Sequence, residues 1–425
     1  MKLRTNSQGL RGTITVPGDK SISHRAVILG SMAYGKTRVQ GILKSEDVLA
    51  TIAAFSALGV TLSWEEGALV IDGHGPDAFA IPRNPIYLGN SGTSMRLLSG
   101  ALAHIHGQLV LTGDDSLSQR PMDRVTKPLR QMGLRISGEG QKEKAPLIVT
   151  GNPSLQAIDY TLPQASAQVK SALILAALQA RGTTTITEPI TTRNHTEELL
   201  PLFGGEIAIS DKTISVTGPQ RLTATTLTVP GDISSAAFWL VAGVIVPHSH
   251  LTLRRVGINP TRTGLLDVLR RMGASMTIHT IDKNLADITV ETSSLVATEI
   301  SGEEIPRLID ELPIIALLAT QAKGVTTIRD AGELRIKETD RIAMVETVLT
   351  RMGADVTALQ DGFIIYGPSS LQAARIATQG DHRIGMMAAI ASLLVKTGPV
   401  ILEGAEMIAT SYPEFFDDMA YLERD

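Results

Sequence analysis

Seven basic residues stand where a turn gives way to a helix or close to it: Lys20, Arg25, Arg120, Arg193, Lys337, Arg341 and Arg383. In Val16-Pro17-Gly18-Asp19-Lys20-Ser21-Ile22-Ser23-His24-Arg25, an alternating strand ends at Pro17-Gly18, and Asp19 or Ser21 can cap a helix over Ala26 to Met32. Free N–H groups and the dipole at such a start favour an anion, and Lys20 and Arg25 add charge there. The phrase returns as Val229-Pro230-Gly231-Asp232-Ile233-Ser234. Gly89-Asn90-Ser91-Gly92-Thr93-Ser94-Met95-Arg96 opens another helix, where Gly92 lets a ligand approach the backbone. Arg120 precedes Pro121, read as opening a helix. Ser166-Ala167-Gln168 offers two polar side chains at a third start, Thr192-Arg193-Asn194-His195 is a basic turn before a helix, and Gly380-Asp381-His382-Arg383 opens a further one. Each motif alone also fits ordinary capping or a solvated loop.

Two acids complete the set. Asp310, in Leu308-Ile309-Asp310-Glu311-Leu312-Pro313, reads as a helix cap or as a base. Arg335-Ile336-Lys337-Glu338-Thr339-Asp340-Arg341 is expected to begin a helix running to Met352. Lys337 and Arg341 would then share a face, with Glu338 about 100° round. Seven cations focused in a chain of net charge −4 suit a small polyanionic substrate. Asp310 and Glu338 would supply carboxylates for proton transfer beside those cations.

The elements that must position these groups repeat six times. A turn followed by an Ala/Leu/Ile/Ser-rich helix begins near Gly18, Gly89, Pro163, Gly231, Ile305 and Gly380, at intervals of 68 to 75 residues. Each helix is followed by a short β-branched strand: Gly35 to Val39, Gly107 to Leu111, Gly182 to Ile186, Ser249 to Leu253, Gly324 to Ile328 and Gly398 to Leu402. Five copies then show a second helix ending in an apolar residue and Gly (Gly59, Gly133, Gly204, Gly273 and Gly353), a C-cap signal, with an alternating strand after it. The two Val-Pro-Gly-Asp phrases lie 213 residues apart, or three repeats. Two α/β domains are therefore expected, residues 1–16 with 231–425 and residues 17–230, the chain crossing twice at Pro-Gly turns. Such crossings suggest a hinge, and a cleft between the domains is the expected ligand site.

Composition removes several alternatives. With no cysteine, disulfides, zinc–thiolate sites, iron–sulfur clusters and a cysteine nucleophile are excluded. No His pair has zinc-ligand spacing, so no metal is expected. Net charge −4 does not indicate a nucleic-acid partner. Met1-Lys2-Leu3-Arg4-Thr5-Asn6 lacks a signal-peptide core, and the apolar run Ala236 to Val246 is too short for a bilayer. A cytoplasmic location, no membrane partner and a monomer are expected. Gly30-Ser31-Met32-Ala33-Tyr34-Gly35-Lys36-Thr37 fits a phosphate-loop pattern, but it follows a helix and opens a strand, the reverse of the order such a loop needs.

Pro17-Gly18-Asp19-Lys20-Ser21 with Arg25, Gly89 to Arg96, Arg120-Pro121, Lys337-Glu338-Thr339-Asp340-Arg341 and Asp381-His382-Arg383 run in order over almost the whole chain. In these motifs the chain resembles the 5-enolpyruvylshikimate-3-phosphate (EPSP) synthases. The resemblance implies a two-domain inverse α/β barrel (α/β, α+β) of six βαβαββ repeats, three per domain. It implies transfer of enolpyruvyl from phosphoenolpyruvate to the 5-hydroxyl of shikimate 3-phosphate without a cofactor, through a tetrahedral intermediate that loses phosphate. Lys20, Ser21, Arg25, Ser166, Gln168, Arg193, Asp310 and Lys337 would hold shikimate 3-phosphate. Lys20, Gly92, Arg120, Gln168, Arg341 and Arg383 would hold phosphoenolpyruvate, the site for which glyphosate competes in this family. Asp310 would take the hydroxyl proton, and Glu338 with Lys20 would handle protonation of the methylene carbon. Substrate charge of roughly −6, from two phosphates at about −2 each and two carboxylates, matches seven cations.

Against many family members, Ala167 replaces a serine, Glu333 an asparagine, and Thr410-Ser411-Tyr412-Pro413 lacks a lysine. The related UDP-N-acetylglucosamine enolpyruvyl transferases typically carry Lys-Asn where Lys20-Ser21 stands, and usually a catalytic Cys. A non-catalytic anion sensor and a phosphate-loop kinase are the other readings, separated by phosphate release from the two substrates and by a need for ATP and magnesium.

Overall fold

Six helices, one per repeat, form the buried framework: α1 (Lys20–Met32), α2 (Gly92–Ala101), α3 (Ala167–Ala177), α4 (Ile233–Ile245), α5 (Leu312–Ala319) and α6 (His382–Ser392). They are buried on nearly all sides, mostly by apolar residues, and every residue of α4 is buried. Side chains start most of them. Asp19 accepts from the Ile22 amide at 2.8 Å, so it, and not Ser21, caps α1, which begins at Lys20. Ser91 caps α2, Ser166 α3, Asp232 α4 and Asp381 α6.

The computed structural model describes residues 1–3 and 9–424. Arg4 to Gln8, part of the N-terminal segment assigned to the first domain, and Asp425 lie outside the described residues. The chain divides into two compact units, a terminal unit (Met1–Pro17 with Pro230–Asp425) and a central unit (Gly18–Val229).

Each unit carries three small sheets; five of the six share one four-strand order, and the sheet of Lys2–Leu3, Val400–Glu403 and Arg375–Ala377 has three strands among the described residues. In the first sheet of the central unit, edge strand Thr226–Thr228 runs parallel to Tyr34–Gln40. That strand pairs antiparallel with Ala68–His74, which pairs antiparallel with Thr61–Glu65. Where a repeat is continuous in the chain, as over residues 159–218, it runs edge strand, inner helix, strand, second helix and hairpin, the βαβαββ order, whereas the first repeat of the central unit takes its edge strand from the far end of that unit, Thr226–Thr228. In the terminal unit the N-terminal segment supplies two strands. Arg11–Ile14 runs parallel to His250–Gly257, and Lys2–Leu3 antiparallel to Val400–Glu403. The glycines that close the second helices all adopt positive φ, from +72° at Gly204 to +95° at Gly133.

Close packing aligns the helix starts. A Cβ on Gly100 of α2 would lie 2.0 Å from the Ala172 carbonyl of α3, so the two backbones touch there. Separate apolar cores fill the units, and Trp239 stacks on Phe415 at 4.9 Å in the terminal one.

Three local expectations change. The helix expected from Arg335 begins at Arg341, because Asp340 accepts from the Ile342 and Ala343 amides and stops the chain being helical before it. Gly332–Ile336 is a 3-10 turn and Lys337 is extended, so Lys337, Glu338 and Arg341 share no helical face. Pro121 does not open a helix: Arg120 ends the short helix Asp115–Gln119, and the next is Asp123–Gln131. Gly30 to Thr37 runs from the end of α1 into a strand, with Lys36 exposed.

Candidate functional site

In the central unit, Lys20 is the first residue of α1, and its ammonium donates to Asp47 Oδ2 at 2.6 Å. Arg25, one turn on, is buried; it donates from Nε to Thr196 Oγ1 at 2.7 Å, from Nη2 to Ser171 Oγ at 2.6 Å and from Nη1 to the Ser21 carbonyl at 3.0 Å. It therefore supports Ser21 from beneath, while Ser21 itself is half-buried. The starts of α2 and α3 meet through Arg96, whose Nη1 donates to Gln168 Oε1 at 2.6 Å. Gln168 Nε2 donates in turn to Thr93 Oγ1 at 2.9 Å. Arg120 reaches the same start of α2: its Nη2 donates to Asn90 Oδ1, and a Cβ on Gly92 would lie 3.1 Å from both Arg120 Nη1 and Arg96 Nη1. Ser166 Oγ accepts from the Val169 amide at 3.4 Å. Arg193 is half-buried in the loop before the helix His195–Leu199.

The terminal unit gathers its five assigned residues around one carboxylate. Asp310 Oδ1 lies 3.3 Å from Lys337 Nζ and 3.5 Å from Arg341 Nη1, and its Oδ2 lies 4.0 Å from Arg383 Nη2. Arg383 Nη1 also donates to the Asp310 carbonyl at 3.0 Å. Asp310 caps no helix, since α5 starts after Glu311. Glu338 Oε2 accepts from Arg341 Nη2 at 2.6 Å. Asp381 holds the other side of Arg341, accepting from Nε at 2.8 Å, and also accepts from the Thr339 hydroxyl and the Arg383 amide. Burial works against the Arg341 charge, but Asp381, Glu338 and Asp310 outweigh it and raise its pKa. Burial likewise pushes the Asp381 carboxyl up, and Arg341 more than compensates, leaving it below its ordinary value.

Several partners were not foreseen from sequence. Arg96 stood inside a motif that signalled a helix start and not a pair, and Asp47 stood in none of the motifs. His24 is fully buried on α1 with Nδ1 2.8 Å from Thr51 Oγ1, in a chain that continues to Ser94 and Ser91. Burial is the main cause that lowers its pKa to about 3, with Lys20 and Arg25 assisting and Asp47 opposing.

The sequence profile of EPSP synthase (3-phosphoshikimate 1-carboxyvinyltransferase) matches residues 4–419. The chain is 57% identical over 427 residues to the 3-phosphoshikimate 1-carboxyvinyltransferase of Streptococcus equi subsp. zooepidemicus (strain MGCS10565), with 100% of both chains covered. It is 58% identical to the enzyme of that name from Streptococcus pyogenes serotype M28 (strain MGAS6180), again over 100% of both. Among solved structures, EPSP synthase from Acinetobacter baumannii matches with a TM-score of 0.88 and 41% identity, over 99% of this chain and 97% of that one. The enolpyruvyl transferase NikO from Streptomyces tendae shares the fold, with a TM-score of 0.81, 18% identity, and coverage of 100% and 97%. Profile, full-length identity and fold agree: the chain belongs to the EPSP synthase family.

Proposed function

We infer that this chain transfers the enolpyruvyl group of phosphoenolpyruvate to the 5-hydroxyl of shikimate 3-phosphate and releases phosphate, the shikimate-pathway reaction of its family. The observation that carries the assignment of roles is Asp310 with three cations, Lys337, Arg341 and Arg383, within 4.0 Å and Glu338 fixed on Arg341. A carboxylate held this way can take the hydroxyl proton as the oxygen attacks C2 of phosphoenolpyruvate. Glu338, with Lys20 as a second proton-bearing group, serves the methylene carbon, which gains a proton on addition and loses it on elimination. The C2–O bond to phosphate then breaks, and phosphate leaves with the bonding pair. Arg341 and Arg383 would meet the donor's charged groups while their own carboxylate partners keep them in place.

The central unit binds. Lys20, Ser21, Ser166, Gln168 and Arg193 present a mixture of cations and neutral donors suited to the phosphate and hydroxyls of shikimate 3-phosphate. Arg25, assigned to the same substrate, also braces the Ser21 carbonyl. Gly92, Arg120 and Gln168 form the donor's share, at one helix start.

A phosphate-release assay with both substrates tests this reading. Phosphate should appear only when both are present, unchanged by chelator and without any nucleotide. Release that needs ATP and magnesium, or that uses UDP-N-acetylglucosamine in place of shikimate 3-phosphate, would overturn it.

A further inference from the structure

Lys170 is a buried cation that the reaction does not use. It lies in the first turn of α3, two residues past Gln168, and is 1% exposed. Its ammonium lies 2.8 Å from Glu188 Oε2 and 2.7 Å from Glu197 Oε1, both carboxylates being 2% exposed, and it donates to the Thr192 carbonyl at 3.4 Å. Glu188 follows directly on the strand Gly182–Thr187, and Glu197 belongs to the helix His195–Leu199. The three charges therefore tie an inner helix to both ends of one loop.

The loop's own bonds complete the clamp. Glu188 accepts from the Thr192 amide at 3.4 Å through Oε2 and from the Thr192 hydroxyl through Oε1. On the far side, the Thr196 hydroxyl accepts from Arg25 Nε at 2.7 Å and lies 2.7 Å from Ser171 Oγ. Thr192 and residues 195–197 are buried, whereas Arg193 and Asn194 between them are half-buried. Pro189 and Thr191 earlier in the loop are exposed, but Arg193 and Asn194 are flanked on both sides by buried, bonded residues.

Three buried charges are a costly way to hold a loop, because apolar side chains of similar volume usually serve stability as well or better. What an ammonium adds is direction, since its charge-assisted bonds fix a carbonyl and two carboxylates at set distances. We propose that the Lys170–Glu188–Glu197 triad is a positioning device that presents Arg193 to shikimate 3-phosphate. This rests on the reading of Arg193 as a ligand of that substrate. Lys170 itself would touch neither substrate. Its loss should therefore reach the reaction only through Arg193.

Steady-state kinetics on Lys170→Met, Arg193→Ala and the double variant test this, with thermal melts confirming that each is folded. Arg193→Ala and Lys170→Met should each raise the KM for shikimate 3-phosphate about tenfold, leaving kcat and the KM for phosphoenolpyruvate nearly unchanged. The double variant should be no worse than Arg193→Ala alone, because the two substitutions remove one interaction. Multiplied effects in the double variant would overturn the proposal while leaving Arg193 a ligand. An unchanged KM in Arg193→Ala would remove the reading of Arg193 itself, and the proposal with it. Should Lys170→Met fail to fold, Thr192→Val cuts the loop's hydroxyl bond to Glu188 with little change of volume. It should raise the same KM and be masked by Arg193→Ala in the same way; a Thr192→Val enzyme with wild-type constants would count against the clamp.

Discussion

The inner helices of the two units begin differently. In the central unit the residues preceding α1, α2 and α3 are Asp19, Ser91 and Ser166; in the terminal unit those preceding α4, α5 and α6 are Asp232, Glu311 and Asp381. All three terminal acids face an arginine: Arg262 Nη2 lies 3.6 Å from both Asp232 and Glu311, and Arg341 donates to Asp381 at 2.8 Å. There the helix dipoles are already answered by the protein's own carboxylates. Two of the three central starts end in neutral hydroxyls, which satisfy N–H groups without spending the positive field. One fold thus leaves helix starts with an unspent positive field in one unit and holds carboxylates among cations in the other. The two carboxylates proposed for proton transfer, Asp310 and Glu338, accordingly both lie in the terminal unit, beside Arg341 and Arg383, which are proposed to meet the donor.

The largest effect should follow from removing the carboxylates of the terminal unit. Asp310→Asn and Glu338→Gln keep shape and hydrogen bonding but cannot exchange the proton, so kcat should fall about 10²–10⁴-fold. KM for either substrate should change far less. A variant with normal kcat and a raised KM would mean that its carboxylate binds and does not transfer protons, and the division between the units would fail.

Giving the central unit a terminal-type start sharpens the comparison. Ser166→Asp keeps a good cap for α3, so the melting temperature should hardly move, in contrast to Ser166→Ala, which should cost about 1 kcal/mol. Yet Asp would place a negative charge where a phosphate or carboxylate is to sit. At a separation near 4 Å, with partial screening, such repulsion should raise the KM for shikimate 3-phosphate roughly tenfold to a hundredfold. Unchanged affinity would show that the start of α3 is not used for substrate.

Acid should expose another contrast. His24 is neutral in the folded central unit, with a pKa near 3 against an ordinary 6.5, so the unfolded chain binds the extra proton first. The stabilisation is complete above pH 6.5 and is lost progressively as pH falls from there toward 3. At pH 5 the loss should be about 2 kcal/mol for one proton. Asp381, lowered by Arg341, contributes stability that is kept above the ordinary 3.8 and lost only as pH falls from there through its depressed value, so it gives nothing up between pH 7.5 and 5. Thermal unfolding of the wild type and His24→Gln from pH 7.5 to 5 measures this. The variant should be less stable at pH 7.5 but lose less on acidification, and parallel curves would place the acid sensitivity elsewhere.

Much of this framework can be read in the chain. Six helix starts, six following strands and five C-terminal glycines recur at a fixed spacing because each reports local backbone geometry, as the positive φ of Gly59 and Gly353 shows. Pairings between elements are less legible. Lys20 finds Asp47, Arg96 finds Gln168 at a distance of 72 residues, and Lys170 finds Glu188 and Glu197. No periodicity marks such partners, because they are chosen by how repeats pack. The misplaced helix at Lys337 has a local cause: an apolar pattern tells where a helix lies, but Asp340 decides where it begins.

The smallest effect tests how open the start of α2 is. Glu311 and Pro313 occupy the equivalent start of α5, whereas Gly92 leaves a hydrogen where any other residue would carry a side chain. A methyl there would meet Arg120 Nη1 and Arg96 Nη1 at 3.1 Å, contacts tight enough that both guanidinium groups must shift by a few tenths of an ångström. They are flexible ends, so the fold should survive. Arg120 is assigned to phosphoenolpyruvate, and Arg96 holds Gln168, so both movements disturb the donor's share of the site. Overpacking of this kind costs about 1–3 kcal/mol where a ligand is fitted closely. Glyphosate, which is longer than phosphoenolpyruvate and competes with it in this family, should be the more affected. Gly92→Ala should therefore weaken inhibition by roughly tenfold and raise the KM for phosphoenolpyruvate by a smaller factor, while the KM for shikimate 3-phosphate stays within about twofold. Equal inhibition constants for the wild type and Gly92→Ala would mean that the start of α2 does not face the donor. The contrast between open and filled helix starts would then be a matter of packing alone.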